Sequence, residues 1–485
     1  MNNNNTIQLK RGAIVELEIV DTAFGGKGIA KVATENGQFI VFVPNVIKGQ
    51  KVKARVIKKR KRHAECKLLE ILERSNLEVE QPYQEIPGAP YMRYPIDLQQ
   101  ADKQQDTFEL FRRIGKLQEP ESVFDEFIAS PRTWHYRNKM EYSFSSIVYD
   151  LDTGEEYDGF GLGFKHRGQW WSVENLERDS GLFDPLIENN LKTIRAWCEA
   201  SGLPAWCPPR AEGFYRYLGV RKSFYTNTFL IELVTFDSHL DAFDLEGFTA
   251  LISNLFGDQL GGFLHSINNS TGDRSHDVNM KTSVIKGDPL LKERLLDLDF
   301  EISMRSFFQP NPASAEKLYN KAVAYALEGK TNPDEVIMDL FCGTGTIGQI
   351  LSKKSDGASE IIGVDIVESA IANAKKNAGL NQLSNLTFYA ADVNKFLYNY
   401  PQYRGKINTI VLDPPRGGIA PKALRRIIQL EAQRIVYVSC NPATQARDNV
   451  ELQEAGYEVK KLSMVDQFPH TSHIETVVLY EKTKS

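Results

Sequence analysis

The chain is poor in cysteine: Cys66, Cys198, Cys207, Cys342 and Cys440 are odd in number, widely scattered and form no C-x-x-C pair. Such a set excludes a disulfide framework and a zinc site of ordinary ligand spacing, and it suits a reducing compartment. Long apolar runs are also missing. The start MNNNNTIQLKRG lacks the apolar stretch of a secretion signal, and no uninterrupted run of about 18 apolar residues occurs, so a soluble, cytoplasmic protein is expected. Nor is there an overall excess of positive charge: the net charge is −5, which argues against a surface coated with nucleic acid throughout. What is there, 485 residues of which 42% are hydrophobic and 25% charged, is a globular composition with length for about three domains.

The positive charge that exists is concentrated. Nine Lys or Arg and no acidic residue fall between positions 48 and 62, ending in Lys58, Lys59, Arg60, Lys61 and Arg62. Alone, such a run is read as a solvated face as readily as a binding site. Its surroundings favour binding. AIVELEIV (13–20), FIVFVPNV (39–46) and VKARVI (52–57) alternate as strands do, with the glycine turn GGKG (25–28) between the first two, which predicts a small antiparallel, OB-like β-barrel over residues 1–75. A basic stripe on a barrel meets phosphates without reading sequence, so RNA is the expected partner.

Residues 76–302 are less informative. QPYQEIPGAP (81–90) reads as a connector, and 98–117 as a mostly polar helix with Leu110, Ile114 and Leu117 at helical spacing. WHYRNKMEY (134–142), which includes Arg137 and Lys139, mixes aromatic and basic residues in strand-like alternation, as does the stretch FGLGF (160–164) with HRGQWW (166–171). A mixed α+β central region is expected, with Arg137 and Lys139 as RNA-contact candidates, although aromatics in strands more often pack in a core than stack on bases.

From position 303 the pattern becomes regular. VIMDLFCGTGTIG (336–348) is an apolar strand running into a glycine-rich turn and a helix, and GVD (363–365) ends the next strand in an acid 20 residues after Gly345. Glycines allow close backbone approach to a ligand, and an acid at that place holds a ribose. Strands at 386–392, 409–413 and 435–439 follow, with helical stretches between, so a Rossmann-like doubly wound α/β sheet is predicted over 303–485. Its ligands gather at the carboxyl ends of the strands, where Asp365, Asp392, Asp413 and Cys440 all fall.

In that order, DLFCGTGTIG, GVDIVESAIANAKKNA, LDPPRGG, VSCNPAT and HTSHIETVVL resemble the S-adenosylmethionine-dependent RNA uracil-5-methyltransferases, and the N-terminal segment resembles the TRAM domain that many of them carry. The resemblance implies a class I methyltransferase domain with S-adenosylmethionine as cofactor. It implies Cys440 as the nucleophile and Glu475 as the general base, with Gln309, Phe341 and Asp365 at the cofactor and Asp413 as a pocket carboxylate positioning cofactor and uracil. Gly343, Gly345 and Asp392 join the cofactor set by their places at the loop and the strand end. Cys342, inside the glycine loop, is read as structural. The chemistry demands both catalytic groups, because uracil C5 is a poor nucleophile until a thiolate adds at C6, and the C5 proton must then be removed so that the thiolate can leave.

Several family members carry an iron–sulfur cluster on a Cys-rich connector. Here IPGAPYMRY (86–94) and VENLER (173–178) contain no cysteine, so no cluster and no other metal is expected. The resemblance favours 23S ribosomal RNA over transfer RNA as substrate, because a barrel with a full central domain is typical of that branch. A cytosine-5-methyltransferase and a non-catalytic RNA-binding protein are the competing function classes; pairing of Cys440 with Glu475 argues against both. A monomer is expected.

Overall fold

The computed structural model describes residues 9–34, 37–329, 336–355, 359–403 and 406–483. Two compact units emerge, residues 1–82, 88–133 and 413–485 forming the first and 83–87 with 134–412 the second. This division is not sequential. Of the three sequence segments, 1–75 lies wholly in the first unit, whereas 76–302 and 303–485 are each shared, the latter parting between Leu412 and Asp413.

The first unit opens with six strands, β1 (Ile14–Glu18), β2 (Asp21–Ala23), β3 (Lys27–Thr34), β4 (Gly37–Pro44), β5 (Lys51–Lys59) and β6 (His63–Glu73). They form one sheet in the order β1-β5-β6-β4-β3-β2. Alternation explains the packing: Val15 and Leu17 of β1 and Val52, Ala54 and Val56 of β5 point inward, in register as Val15↔Ala54 and Leu17↔Val52. The same alternation turns the cations of β5 outward. The all-antiparallel expectation needs one correction, since β4 and β6 pair in parallel over Ile40↔His63 to Phe42↔Glu65. Two reversals separate these strands, so they run the same way and close the barrel side by side. Gly26, at φ +71°, turns the chain between β2 and β3. A Cβ there would meet Tyr91 Oη at 2.8 Å and Ser472 Cβ at 2.9 Å.

The remainder of this unit contains helix Ile96–Arg113 and strand Phe124–Ile128. Its C-terminal portion supplies strands Arg434–Ser439, Tyr457–Val465 and Glu475–Lys482 and helices Pro421–Ile428 and Pro442–Glu454. Glu475–Lys482 lies antiparallel to both of its neighbours, Arg434–Ser439 and Tyr457–Val465. The strand Phe124–Ile128 then adds in parallel to Tyr457–Val465.

The second unit holds a seven-stranded sheet between positions 139 and 287, with strands Lys139–Tyr149, Tyr215–Lys222 and Phe229–Thr235 adjacent in its middle. It also holds four parallel strands, Val336–Leu340, Glu360–Asp365, Leu386–Ala390 and Ile407–Leu412. Val336–Leu340 is flanked by Glu360–Asp365 and Ile407–Leu412, with Leu386–Ala390 outermost. Helices Thr346–Lys354, Glu368–Leu380 and Val393–Asn399 connect them. Val336–Leu340 is buried along its whole length, as a parallel strand covered on both faces must be. Among the described residues no helix is long and apolar enough to cross a membrane.

Candidate active site

Strand Arg434–Ser439 delivers Cys440 to a strand-to-helix turn. Asn441 caps the following helix, its side-chain oxygen accepting from the Ala443 N–H at 3.3 Å, and Pro442 occupies the first helical position. Such a cap contributes about 1 kcal/mol and needs no donor from proline. The Asn441 amide also donates to the Arg416 carbonyl at 2.9 Å, which fastens the DPPRGG loop beside the thiol. Antiparallel pairing of Ser439 with Thr476 carries on for one residue and brings Glu475, the first residue of its strand, opposite Cys440.

Four groups therefore share one site: Cys440, Glu475, Asp413 and Arg416. Burial, and then the charges of Glu475 and Asp413, push the Cys440 thiol up to about 11, while the Arg416 guanidinium, hydrogen-bonded to the sulfur, works against them. Glu475 is 3% exposed, and its burial next to Asp413 holds it well above the usual carboxylate range. Asp413, enclosed though still touched by solvent, is pushed up by desolvation to about 7. At neutral pH the resting site thus holds a thiol, a Glu475 whose charged form is disfavoured, an Asp413 near its midpoint and the Arg416 cation. Carboxyls shifted this far upward, beside a thiol, form the arrangement expected where protons are taken and returned.

The loop 466–474 that leads into Glu475 is held by helix Ile96–Arg113. Gln99, 1% exposed, accepts from the His470 N–H at 2.9 Å and donates to the carbonyls of Tyr91 at 3.0 Å and Tyr94 at 2.6 Å. One turn on, the buried Lys103 donates to Asp466 Oδ1 at 2.7 Å and to the Phe468 carbonyl at 3.2 Å. Burial lowers Lys103 against the pull of Asp466, and burial together with Lys103 lowers His470 to about 4, which keeps that imidazole neutral.

The second unit contains the glycine loop. After the buried strand Val336–Leu340, Phe341 takes φ +62°, unusual for a bulky residue and a form of strain found where a loop is shaped for a ligand. Gly343 follows at φ +51°, with nothing within 4 Å of where a Cβ would stand, so its backbone is open to an approaching group. Gly345 is required for packing, since a Cβ there would strike the Phe388 ring at 2.5 Å. Asp365 closes the cradle. Its Oδ2 accepts from the Gly343 N–H at 2.9 Å and its Oδ1 from the Val367 N–H at 2.8 Å, leaving further lone pairs for hydroxyl donors. Ile366 and Phe307, 66% and 62% exposed, offer apolar surface next in sequence to Asp365 and two residues from Gln309. The loop, the acid and the apolar surface fit a nucleoside-bearing cofactor. Gln309 is buried, and its carbonyl accepts from the Asn138 amide at 3.0 Å. Asp392 caps helix Val393–Asn399 by accepting from the Lys395 N–H at 3.0 Å, so one of its oxygens is already committed. Cys342 is pushed well above the ordinary thiol range by burial and by Asp339 and Asp365, and it packs against the cluster around Phe388.

Of the RNA candidates, Lys58, Lys59, Arg60, Lys61 and Arg62 are all exposed at the β5–β6 hairpin, whose turn is closed by the Arg60 N–H donating to the His63 carbonyl at 2.8 Å. The other two are less open. Arg137 is half-buried with its Nε enclosed, and Lys139 pairs with Glu141 at 2.8 Å. Among the described residues no group of three or more His, Cys, Asp or Glu is arranged to hold a metal ion. Sequence reasoning does not single out Arg416, Gln99 or Lys103. Arg416 stands in the motif DPPRGG, whereas Gln99 and Lys103 lie in a helix whose polar composition hides its buried side.

Comparison with known proteins bears on the family and the fold. The family described as tRNA (Uracil-5-)-methyltransferase matches residues 267–483, and the TRAM domain matches residues 8–69. A protein of Clostridium acetobutylicum described as an uncharacterized RNA methyltransferase is 36% identical over 480 residues, covering 98% of this chain and 99% of its own. One of Caldanaerobacter subterraneus with the same description is 35% identical, covering 98% of this chain and 100% of its own. The crystal structure of Pyrococcus abyssi tRNA (uracil-54, C5)-methyltransferase in complex with S-adenosyl-L-homocysteine superposes with a TM-score of 0.70 at 24% identity, over 96% of this chain and 99% of that one. This chain has the fold of a class I methyltransferase with an N-terminal TRAM barrel and belongs to the RNA uracil-5-methyltransferase family.

Proposed function

We propose that this protein methylates C5 of a uridine in RNA through a covalent Cys440–C6 adduct. The carrying observation is the convergence of Cys440, Glu475, Asp413 and Arg416, which supplies a nucleophile, two proton carriers and a cation. S-adenosylmethionine, bound by Phe341, Gly343, Gly345, Asp365 and Gln309, supplies the electrophilic methyl group. The residues do the rest. Cys440 gives its proton to solvent water, with Arg416 stabilising the thiolate, and Sγ adds to uracil C6 while the C5–C6 π electrons pass to O4. Asp413, in the protonated form that about half the molecules hold at neutral pH, donates to O4 and so stabilises the enolate as it forms. In that neutral form it does not repel a charge on Glu475, so Glu475 can release its own proton to solvent water and act as a carboxylate. Once C5 carries its methyl group, the Glu475 carboxylate takes the C5 proton. The released electron pair restores the C5–C6 double bond and expels Sγ as thiolate.

The barrel of residues 1–75 is assigned to phosphate contact and the catalytic residues to 303–485, in the cytoplasm. The first substrate to test is 23S ribosomal RNA, and transfer RNA the second. A barrel does not separate the two, because the Pyrococcus enzyme, named for transfer RNA, matches over 96% of this chain. The test is methylation of unmodified ribosomal and transfer RNA transcripts with labelled cofactor, followed by nucleoside analysis, with Cys440→Ala as control. 5-Methyluridine that depends on Cys440 supports the proposal; 5-methylcytidine, or full activity in Cys440→Ala, refutes it.

A further inference from the structure

In the middle of the seven-stranded sheet, Gly219 pairs with Glu141 on one neighbouring strand and with Glu232 on the other. The three residues stand in one row across the sheet. A glycine at a strand centre forfeits packing and costs conformational entropy, so it calls for a reason. The fold does not provide one: Gly219 has no positive φ, and a Cβ there would come no nearer than 3.7 Å to Met304 Sδ and 3.9 Å to Glu232. The space above it is a pocket of about 110 Å³ walled by Lys139, Glu141, Glu232, Met304 and Arg305.

Part of that wall is uncommitted. The Glu232 side chain is 7% exposed, and its Oε1 accepts from Ser266 Oγ and, at 2.6 Å, from Arg305 Nη2. Its Oε2 accepts nothing among the described residues, and Glu232 lines the pocket. On Arg305 every hydrogen bond to oxygen uses Nη2, to Glu232, Ser266 and Thr282, so Nε and Nη1 keep their protons unassigned. An acceptor and a donor are therefore available on two residues that line this slot together with Gly219. A carboxylate oxygen that no protein donor engages, in a side chain otherwise buried, is open to a ligand or water.

We propose that this slot takes a second, unpaired nucleobase of the RNA substrate, its ring lying over Gly219 and its edge giving an N–H to Glu232 Oε2 and accepting from Arg305. This rests on the RNA methyltransferase reading. Adjacent donor and acceptor on a planar ring is the pattern of a base edge, which an extruded nucleotide exposes. In the wall Glu141 and Glu232 are paired with Lys139 and Arg305, so no excess of positive charge is left to hold a bare phosphate. The slot also adjoins the cofactor side along the chain. Arg221 donates to the carbonyls of Ser303 at 2.9 Å and Ser306 at 2.8 Å, anchoring the segment that carries Met304 and Arg305 and runs on to Gln309.

The experiment uses the full chain with GMP, AMP, CMP, UMP and inorganic phosphate as separate probes, read by saturation-transfer NMR. At least one nucleotide should show transfer to its base protons that Gly219→Val abolishes and phosphate does not displace, while S-adenosylhomocysteine affinity stays unchanged. With RNA transcript, Gly219→Val should raise KM about tenfold, the effect of removing one good set of polar interactions, at nearly constant kcat. Glu232→Gln keeps the shape of the slot and should weaken binding in the same sense, so a poorly folded valine variant does not decide the matter alone. Base signals unchanged in both variants, or displaced by phosphate, would overturn the proposal. If wild-type protein methylates no RNA while the Gly219-dependent base signal is present, the function reading fails and the slot stands.

Discussion

The most exacting consequence of the site concerns the Cys440 thiol. Held at about 11, it is ionised in roughly one molecule in 3,000 at pH 7.5, against about one in ten for an unperturbed cysteine. The thiolate population is thus lower by a factor of about 300. A more basic sulfur is also more nucleophilic, which returns about tenfold, so alkylation of Cys440 by iodoacetamide should run on the order of thirtyfold slower than that of a free thiol. Its rate should rise about tenfold per pH unit with no plateau below pH 10. Two substitutions should move the profile in opposite directions. Asp413, charged above about pH 7, raises the thiol, so Asp413→Asn lowers its titration; Arg416 stabilises the thiolate, so Arg416→Met raises it. Mass spectrometry of the Cys440 peptide across pH 7–10 reads all three proteins. A wild-type plateau by pH 9, or shifts of the same sign in the two variants, would refute the electrostatic account.

Other expectations are equally direct. Lys103→Met removes the cation that pairs with the buried Asp466 and should cost about 3–5 kcal/mol in denaturant unfolding, whereas Gln99→Leu, which removes the acceptor Gln99 offers the His470 N–H, should cost about 1–3 kcal/mol and lower kcat more than it raises KM for RNA. Glu188, fully buried and bound by Ser180 and Tyr142, is pushed up to about 8 by desolvation. A carboxyl raised in the folded state supports folding below its unfolded pKa and loses that support as pH rises through the folded value. Thermal melts should therefore show stability falling between about pH 5 and 9 by on the order of 4 kcal/mol from this group, and Glu188→Gln should abolish that part of the fall. Replacing residues 58–62 with glutamine should reduce the slope of log affinity against log salt by about 0.7–0.9 for each phosphate no longer neutralised, without altering cofactor binding.

Much of the catalytic side was legible because it is local. The strand ends, the glycine loop and Asp365 follow from short periodic segments: the strand Glu360–Asp365 ends at the acid read there, and Arg434–Ser439 lies within a residue of the run read at 435–439. Burial in the barrel was equally plain, since the alternation that sends Val52, Ala54 and Val56 inward sends the cations out. Long-range registers were not legible. No local signal tells that Ser439 pairs with Thr476 and so sets Glu475 against Cys440, or that β4 and β6 run in parallel. Gln99 escapes a sequence reading because its partner in the 466–474 loop lies 371 residues away. The row Glu141, Gly219, Glu232 exists only once three strands are in register, and no single strand announces it. Arg137 and Lys139 look like open cations in the sequence, which shows charge but neither the burial of Arg137 nor the Glu141 carboxylate that pairs with Lys139.

The central claim is that Cys440 attacks and Glu475 releases. Glu475→Gln incubated with unmodified RNA and methyl-labelled cofactor tests it, because a glutamine cannot remove the C5 proton and the methylated adduct has no exit. The account predicts a denaturation-stable protein–RNA species that carries the methyl label, joined through Cys440 and absent from the Cys440→Ala, Glu475→Gln double variant. Free 5-methyluridine produced at the wild-type rate by Glu475→Gln, or a labelled adduct that persists without Cys440, would contradict it.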